Sequence, residues 1–322
     1  MFGSEFLVLA ASIVRLSTPL VLAALAGLFA ERSGVADLGL EGKMLIGAFA
    51  GGAIAAVTGS AALGLAAAML AAILFSLLHF YATVWNSGDQ VVSGMAINII
   101  AAGLAPTLAY ALFPIGGQTP PLDDGARLLG LPLPFAADAA QSGGFVGRFY
   151  ADVISGHNIL VYLAALAVPA SMFLLYRTGW GLRLRASGEN PEAVAAAGRN
   201  VIALRLQGLI LNGALVGLAG AYLSMAANAG YSRDMTAGKG YLAIAALILG
   251  RWRPRPTLYA CLLFAAADAI QGRLQGIGLP GLGIIPTPWI AALPYIVTVV
   301  VLAVAGRGQS MPKALGIPFR AR

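Results

Sequence analysis

The sequence predicts an all-α polytopic membrane protein with roughly 8–10 transmembrane or re-entrant helices and one short helix standing in a basic loop. Three observations carry this. Of 322 residues, 59% are hydrophobic and only 10% charged, where soluble domains carry about 25% charged residues. Mean hydropathy is +0.83. The apolar residues also fall into runs near the length of about 20 residues that a bilayer core demands. Those runs lie at about 6–30, 38–58, 61–84, 91–113, 158–177, 202–226, 240–250, 256–275 and 285–305.

The first run has no basic leader or cleavage site before it, and is expected to be retained. The second is interrupted by Gly39, Gly42, Gly47, Gly51 and Gly52, as in a tightly packed or a discontinuous helix. The 41 glycines of the chain suit close helix approach in lipid. The run at 240–250 is too short to span and predicts a broken or re-entrant piece buried in protein. Nine full spans would put the N-terminus outside; eight plus one re-entrant piece would put it inside, and the short run favours the second.

Charge orients the chain. Arg177, Arg183, Arg185, Arg199 and Arg205 face only two glutamates in one loop, about 177–205, and Arg307, Lys313, Arg320 and Arg322 mark the tail, about 306–322. Both are expected to be cytoplasmic, together with the RWRPR stretch at 251–255. The Pro- and Gly-rich connection of about 114–157 carries Asp123, Asp124, Asp138 and Asp152 against Arg127 and Arg148, and should lie outside. The whole chain then forms one transmembrane domain, 1–322. The net charge of +7 follows from loop arginines and is no nucleic-acid footprint, since no basic–aromatic array stands apart from the spans. The lone Cys261 and the isolated His79 and His157 offer no disulfide framework or metal cluster.

Inside the most basic loop, SGENPEAVAAAGRN (Ser187–Asn200) encodes a complete small helix. Asn190 suits the N-cap and Pro191 the first helical position. Glu192 faces the positive end of the dipole, Ala193 and the following alanines favour helix, and Gly198 closes the end in a left-handed conformation. Seven residues span only about 10 Å and would be marginal alone in water. A short, pre-organised helix on the water side is what a membrane protein would present to a soluble partner.

Polar groups within or beside the spans are the other candidates. Asp37 and Glu41 are acids in an apolar setting, where carboxylates are functional candidates by default; the plainer alternative pairs them with Arg32 or Lys43 at an interface. Gln90, Ser93, Asn98 and Asn212 are neutral hydrogen-bonding groups of the kind a pathway for a polar, uncharged solute needs. Interhelical hydrogen bonds are the alternative for each. Asp268 and Gln271 share a helix face and suit polar packing, with Arg273 or Arg251 near enough in sequence to neutralise the acid. Tyr222, Tyr231, Tyr241 and Trp252 suit interface anchors. No Ser–His–Asp arrangement, metal-ligand spacing or haem motif is present. DLGLEGKM (Asp37–Met44) contains a Gly-Lys pair but lacks the first glycine and the final hydroxyl of a phosphate-binding loop.

GWGLRLRASGENPEAVAAAGRNV (Gly179–Val201) resembles the cytoplasmic coupling loop of ABC-importer permease subunits, in the branch serving branched-chain amino acids, simple sugars and nucleosides. ERSGVADLGLEGKMLIGAFAGG (Glu31–Gly52), DQVVSGMAINIIAAGL (Asp89–Leu104), LNGALVGLAGAYLS (Leu211–Ser224) and IAALILGRW (Ile244–Trp252) are similar, in order, to blocks of the nucleoside-type permeases. Asp37 departs from that pattern, where asparagine is expected. The resemblance implies an importer subunit of the bacterial inner membrane, without its own ATPase site or cofactor. ATP and Mg would sit on partner ATPase subunits contacted by Gly188, Glu189, Asn190, Pro191, Glu192, Ala193 and Gly198. It further implies a second permease subunit, identical or homologous, an external substrate-binding lipoprotein, and a solute that is a nucleoside or purine-like compound. Simple sugars or riboflavin are the alternatives within the family. An ATPase-independent secondary transporter or facilitator is the rival from another class.

Overall fold

Within the described residues, each apolar run is helical over most of its length in the computed structural model, which describes residues 2–141, 144–275, 278–279, 283–284, 287–305 and 311–319. The tail arginines Arg307, Arg320 and Arg322 lie outside the described residues. The first four helices are α1 (Phe2–Arg32), α2 (Leu40–Thr58), α3 (Ala61–Phe80, prolonged by a π-turn at Tyr81–Trp85) and α4 (Gln90–Leu112). The long connection holds α5 (Ala136–Gln141) and α6 (Phe145–Phe149). Then come α7 (Ile159–Arg177), α8 (Gly179–Glu189), the short α9 (Pro191–Ala196) and α10 (Val201–Ala221, prolonged by a π-turn at Tyr222–Ala227). The chain continues with α11 (Lys239–Leu249), α12 (Pro254–Leu274), α13 (Thr287–Ala291) and α14 (Leu293–Ala305). A two-residue antiparallel pairing, Gly278–Leu279 with Gly283–Ile284, precedes α13.

Among the described residues, six helices are long and apolar enough to cross a membrane: Glu5–Arg32, Leu40–Thr58, Ala61–Trp85, Gln90–Leu112, Ile159–Arg177 and Val201–Ala227. α12 has the length, with 21 residues, but carries Arg255, Asp268 and Arg273. Polar side chains set several starts by accepting from free first-turn amides: Asp89 from Val92, Asn158 from Leu160 and Val161, and Asn200 from Ala203.

α2 and α10 form the centre, with 72% and 56% of their apolar windows buried against 22% for α3 and 28% for α4. Glycine makes this possible at the α3–α10 crossing. A Cβ on Gly213 would stand 2.6 Å from the Ile73 Cα, and one on Gly217 2.7 Å from the Met69 Cα. Overpacking such a contact costs about 1–3 kcal/mol or more. Gly213→Leu is therefore expected to lower the melting temperature in detergent sharply. Gly103→Leu, whose Cβ meets nothing within 4 Å, should leave it unchanged.

The ends of the bundle correct one expectation. The Arg32 end of α1 meets the basic loop, while near its start the Glu5 carbonyl accepts from Arg273 at the far end of α12. The turn at Tyr150–Ile154, from the long connection, packs on α1, and Tyr222 donates to the Arg15 carbonyl. The N-terminal end thus lies with the 114–157 connection, opposite the basic loop. The reason is the segment before α11. It leaves the 114–157 side, where the Tyr231 carbonyl accepts from the Thr119 amide, and α11 then reaches Trp252 beside Arg32. Turn-rich irregular chain at 228–238 and short helix together complete a pass that the apolar run alone leaves unfinished.

The aromatic residues are also placed differently from the interface expected of them. Tyr222, Tyr231 and Trp252 are core residues, buried to 2–4% exposure, and only Tyr241 is open to the surroundings. Tyr231 packs edge-on against Phe49 at 5.3 Å, and the Trp252 indole donates to the Glu31 carboxylate. Arg273 is engaged with Glu5 rather than with Asp268.

Candidate functional site

The basic end of the bundle is built around α9. Asn190 accepts from the Ala193 amide at 3.0 Å, and Pro191 occupies the first helical position. At the other end Gly198 adopts φ +73°. Its amide bonds the Ala195 carbonyl and the Arg199 amide bonds the Val194 carbonyl, the two bonds of a Schellman stop. Only Val194 of the helix is buried, against Val201, Leu204 and Phe319. Glu192, Ala193 and the remaining alanines face outward.

Gly188 and Glu189 differ from expectation: they close α8 instead of opening α9. There they tie the loop to α1. A Cβ on Gly188 would stand 3.2 Å from the Gly34 amide nitrogen, the Ser187 hydroxyl donates to the Ser33 carbonyl at 3.1 Å, and Glu189 lies 3.8 Å from Arg32. The tail closes over the same point, with the Ala314 amide donating to the Gly188 carbonyl at 2.8 Å. An apolar cleft of about 610 Å³ runs between α8 and α9, walled by Leu182, Ala186, Ala193, Val194 and Ala197.

The second constellation surrounds the turn between α1 and α2. All six polar candidates converge there. The Lys43 ammonium donates to Asp37 at 2.7 Å and to Asn212 at 3.0 Å, and Ser76 donates to the same Asn212 oxygen. Asp37 and Lys43 are wholly buried, so the pairing with Lys43 holds but its place is the interior, not an interface. Gln90 accepts from the Ala36 amide at 2.6 Å, and His79 bridges the Ala36 carbonyl and Ser93. Asn98 accepts from the Gly42 amide while donating to the Leu38 carbonyl and the Tyr241 hydroxyl. Glu41 takes two amides at the start of α11, Gly238 at 2.8 Å and Gly240 at 2.6 Å.

This is an interhelical clamp on a turn inside the bundle. Asp37, Gln90 and Asn212 are buried in it, whereas Glu41, Ser93 and Tyr241 keep partial access to the surface. Ser76, His79 and Tyr241 are members that sequence reasoning did not single out for this role. Their partners lie 136, 43 and 143 residues away, so no local pattern marks them.

The family described as branched-chain amino acid transport system, permease component, matches residues 9–302. The chain belongs to this family. The permease is 31% identical to the nucleoside ABC transporter permease protein NupC of Lactococcus lactis, covering 97% of this chain and 96% of that one. It is 34% identical to the guanosine ABC transporter permease protein NupQ of Bacillus subtilis, covering 94% and 93%. It is also 32% identical to the putative glucose ABC transporter permease protein TsgC13 of Haloferax volcanii, covering 91% and 89%. No solved structure matches the permease. The six helices fit to cross a bilayer among the described residues, together with this family membership, make it a multi-pass protein of the cell membrane, a transport component rather than an enzyme.

Proposed function

We propose that the permease is the transmembrane subunit of an ATP-dependent importer for nucleosides or related purine-like solutes. The observation that carries the mechanism is α9: capped at both ends, outward-facing, and fastened through Gly188 and Glu189 to the end of α1. A partner ATPase gripping this peg would move α1 with it, so closure of an ATPase dimer becomes rigid-body movement of the spans. ATP and Mg belong on that partner, since DLGLEGKM lacks the phosphate-binding pattern. Paired with a second, identical or homologous permease, two such bundles would enclose a cavity that opens alternately to each side. A substrate-binding lipoprotein would deliver solute at the 114–157 connection.

The names of the two bacterial relatives support the solute class, and the partly accessible Glu41, Ser93 and Tyr241 are the groups proposed to line its path. The archaeal relative favours a second reading, a sugar such as glucose. Uptake into proteoliposomes holding the permease, its ATPase and its binding protein separates them. Labelled guanosine is expected to accumulate only with ATP inside the ATPase compartment, and unlabelled glucose should not compete. Competition by glucose would shift the assignment to sugars. Uptake by the permease alone, without ATP, would make it a secondary transporter or facilitator.

A further inference from the structure

We propose that the basic end of the bundle holds a binding site for the phosphate head group of an anionic phospholipid. A cavity of about 600 Å³ opens where α1, α7, α8 and the start of α12 meet. Four guanidinium groups line it, from Arg32, Arg185, Arg253 and Arg255, against one carboxylate, Glu189. Each comes from a different stretch of chain except the last pair, so the fold gathers them.

These arginines are not consumed by protein partners in equal measure. Arg185 is fixed, donating to the Leu175 carbonyl at 3.0 Å and lying 4.8 Å above the Tyr176 ring. Arg32 donates to the Trp252 carbonyl at 2.9 Å and keeps a long 3.8 Å contact to Glu189. Arg253 and Arg255 are exposed and form no ion pair among the described residues. Two rigid guanidiniums and two free ones around a cavity form a receptor for an oxyanion, and planar guanidinium forks suit phosphate oxygens. The first turn of α12 adds its dipole, with Pro254 at the first helical position and no side-chain cap on Arg253.

The level of the cavity selects a lipid over a soluble protein acid. Arg185 is pinned to the last turn of the α7 span, not to the protruding α9. Directly along α12 from Arg255, one turn apart, stand Tyr259 and Leu263, both exposed. Phe173 and Leu166 give α7 the same bare apolar surface. Cationic groups at the mouth and unpartnered apolar side chains below them match a head group with acyl chains hanging beneath. Basic pockets between helices on the cytoplasmic side take lipid phosphates for this reason. The inference does not depend on the solute or on the ATPase.

The test uses the full chain in phosphatidylcholine nanodiscs with or without added phosphatidylglycerol, with lipid retention read by native mass spectrometry. Wild type is expected to retain phosphatidylglycerol selectively. Arg253→Gln with Arg255→Gln should lower that retention about 25-fold, about fivefold for each arginine at a membrane surface. Equal melting temperatures in pure phosphatidylcholine verify that the variant folds; if it does not, Arg255→Gln alone carries the test with about a fivefold loss. Unchanged retention in these variants overturns the proposal. So does displacement of the lipid by inorganic phosphate at equal concentration, which would assign the site to a soluble anion.

Discussion

Lys43→Met is expected to destabilise the protein by about 3–5 kcal/mol, because it leaves the Asp37 carboxylate buried without its countercharge. Both side chains are fully enclosed, and Asp37 would keep only the Gly39 amide at 3.1 Å. Asn212 would lose one of its two donors as well, keeping the Ser76 hydroxyl on its oxygen. Removing both charges has a different cost. Asp37→Asn with Lys43→Met should recover most of the loss, since replacing a buried ion pair by neutral groups of similar volume is often close to neutral. Thermal unfolding in detergent, followed by size exclusion, gives the stability of all three variants. Uptake by the doubly substituted protein then divides two roles. A stable and active double variant makes the pair a staple that holds the α1–α2 turn; a stable but inactive one makes the charge itself part of transport. A single Lys43→Met variant as stable as wild type would show that the carboxylate finds water or another cation, and that the pair does not staple the turn.

What the sequence reveals and what it hides follow from the range of the interactions. The apolar runs are legible because hydropathy over about 20 residues is fixed locally by the bilayer. α9 is legible for the same reason: Asn190, Pro191 and Gly198 act within one or two turns of themselves. The end of the bundle that holds the N-terminus is not legible because the pass through α11 starts as turn-rich, irregular chain at 228–238, with Arg233, Asp234 and Lys239 in or next to it and no apolar signature. The clamp on the 36–43 turn is invisible as an assembly, since the groups that reach the turn lie 43 to 199 residues from it. Composition marks Gln90, Asn98 and Asn212 as unusual in their runs, but only packing decides that they meet one turn. Burial of Tyr222, Tyr231 and Trp252 is likewise a tertiary outcome, because an aromatic near the end of a span is equally suited to the interface and to the core.

The locality of α9 also makes it separable from the bundle, and its variants should divide coupling from folding. Asn190→Ala with Pro191→Gly removes the cap and loosens the first turn, at a cost of about 1–2 kcal/mol of local helix stability. Six residues cannot sustain a helix against that loss, since isolated helices of this length are already marginal. Val194 alone anchors the helix to its neighbours, so the spans lose almost no packing when it frays. Insertion and melting temperature are therefore expected to stay near wild type, while ATP-driven uptake falls at least tenfold and ATPase co-purification weakens. Gly198→Val attacks the other end: nothing crowds its Cβ, but φ of +73° is strained for a branched side chain. It should reproduce the same phenotype from the opposite terminus. If both variants transport at the wild-type rate and retain the ATPase, α9 only closes a loop. If both fail to insert, the helix belongs to the fold and not to the partner.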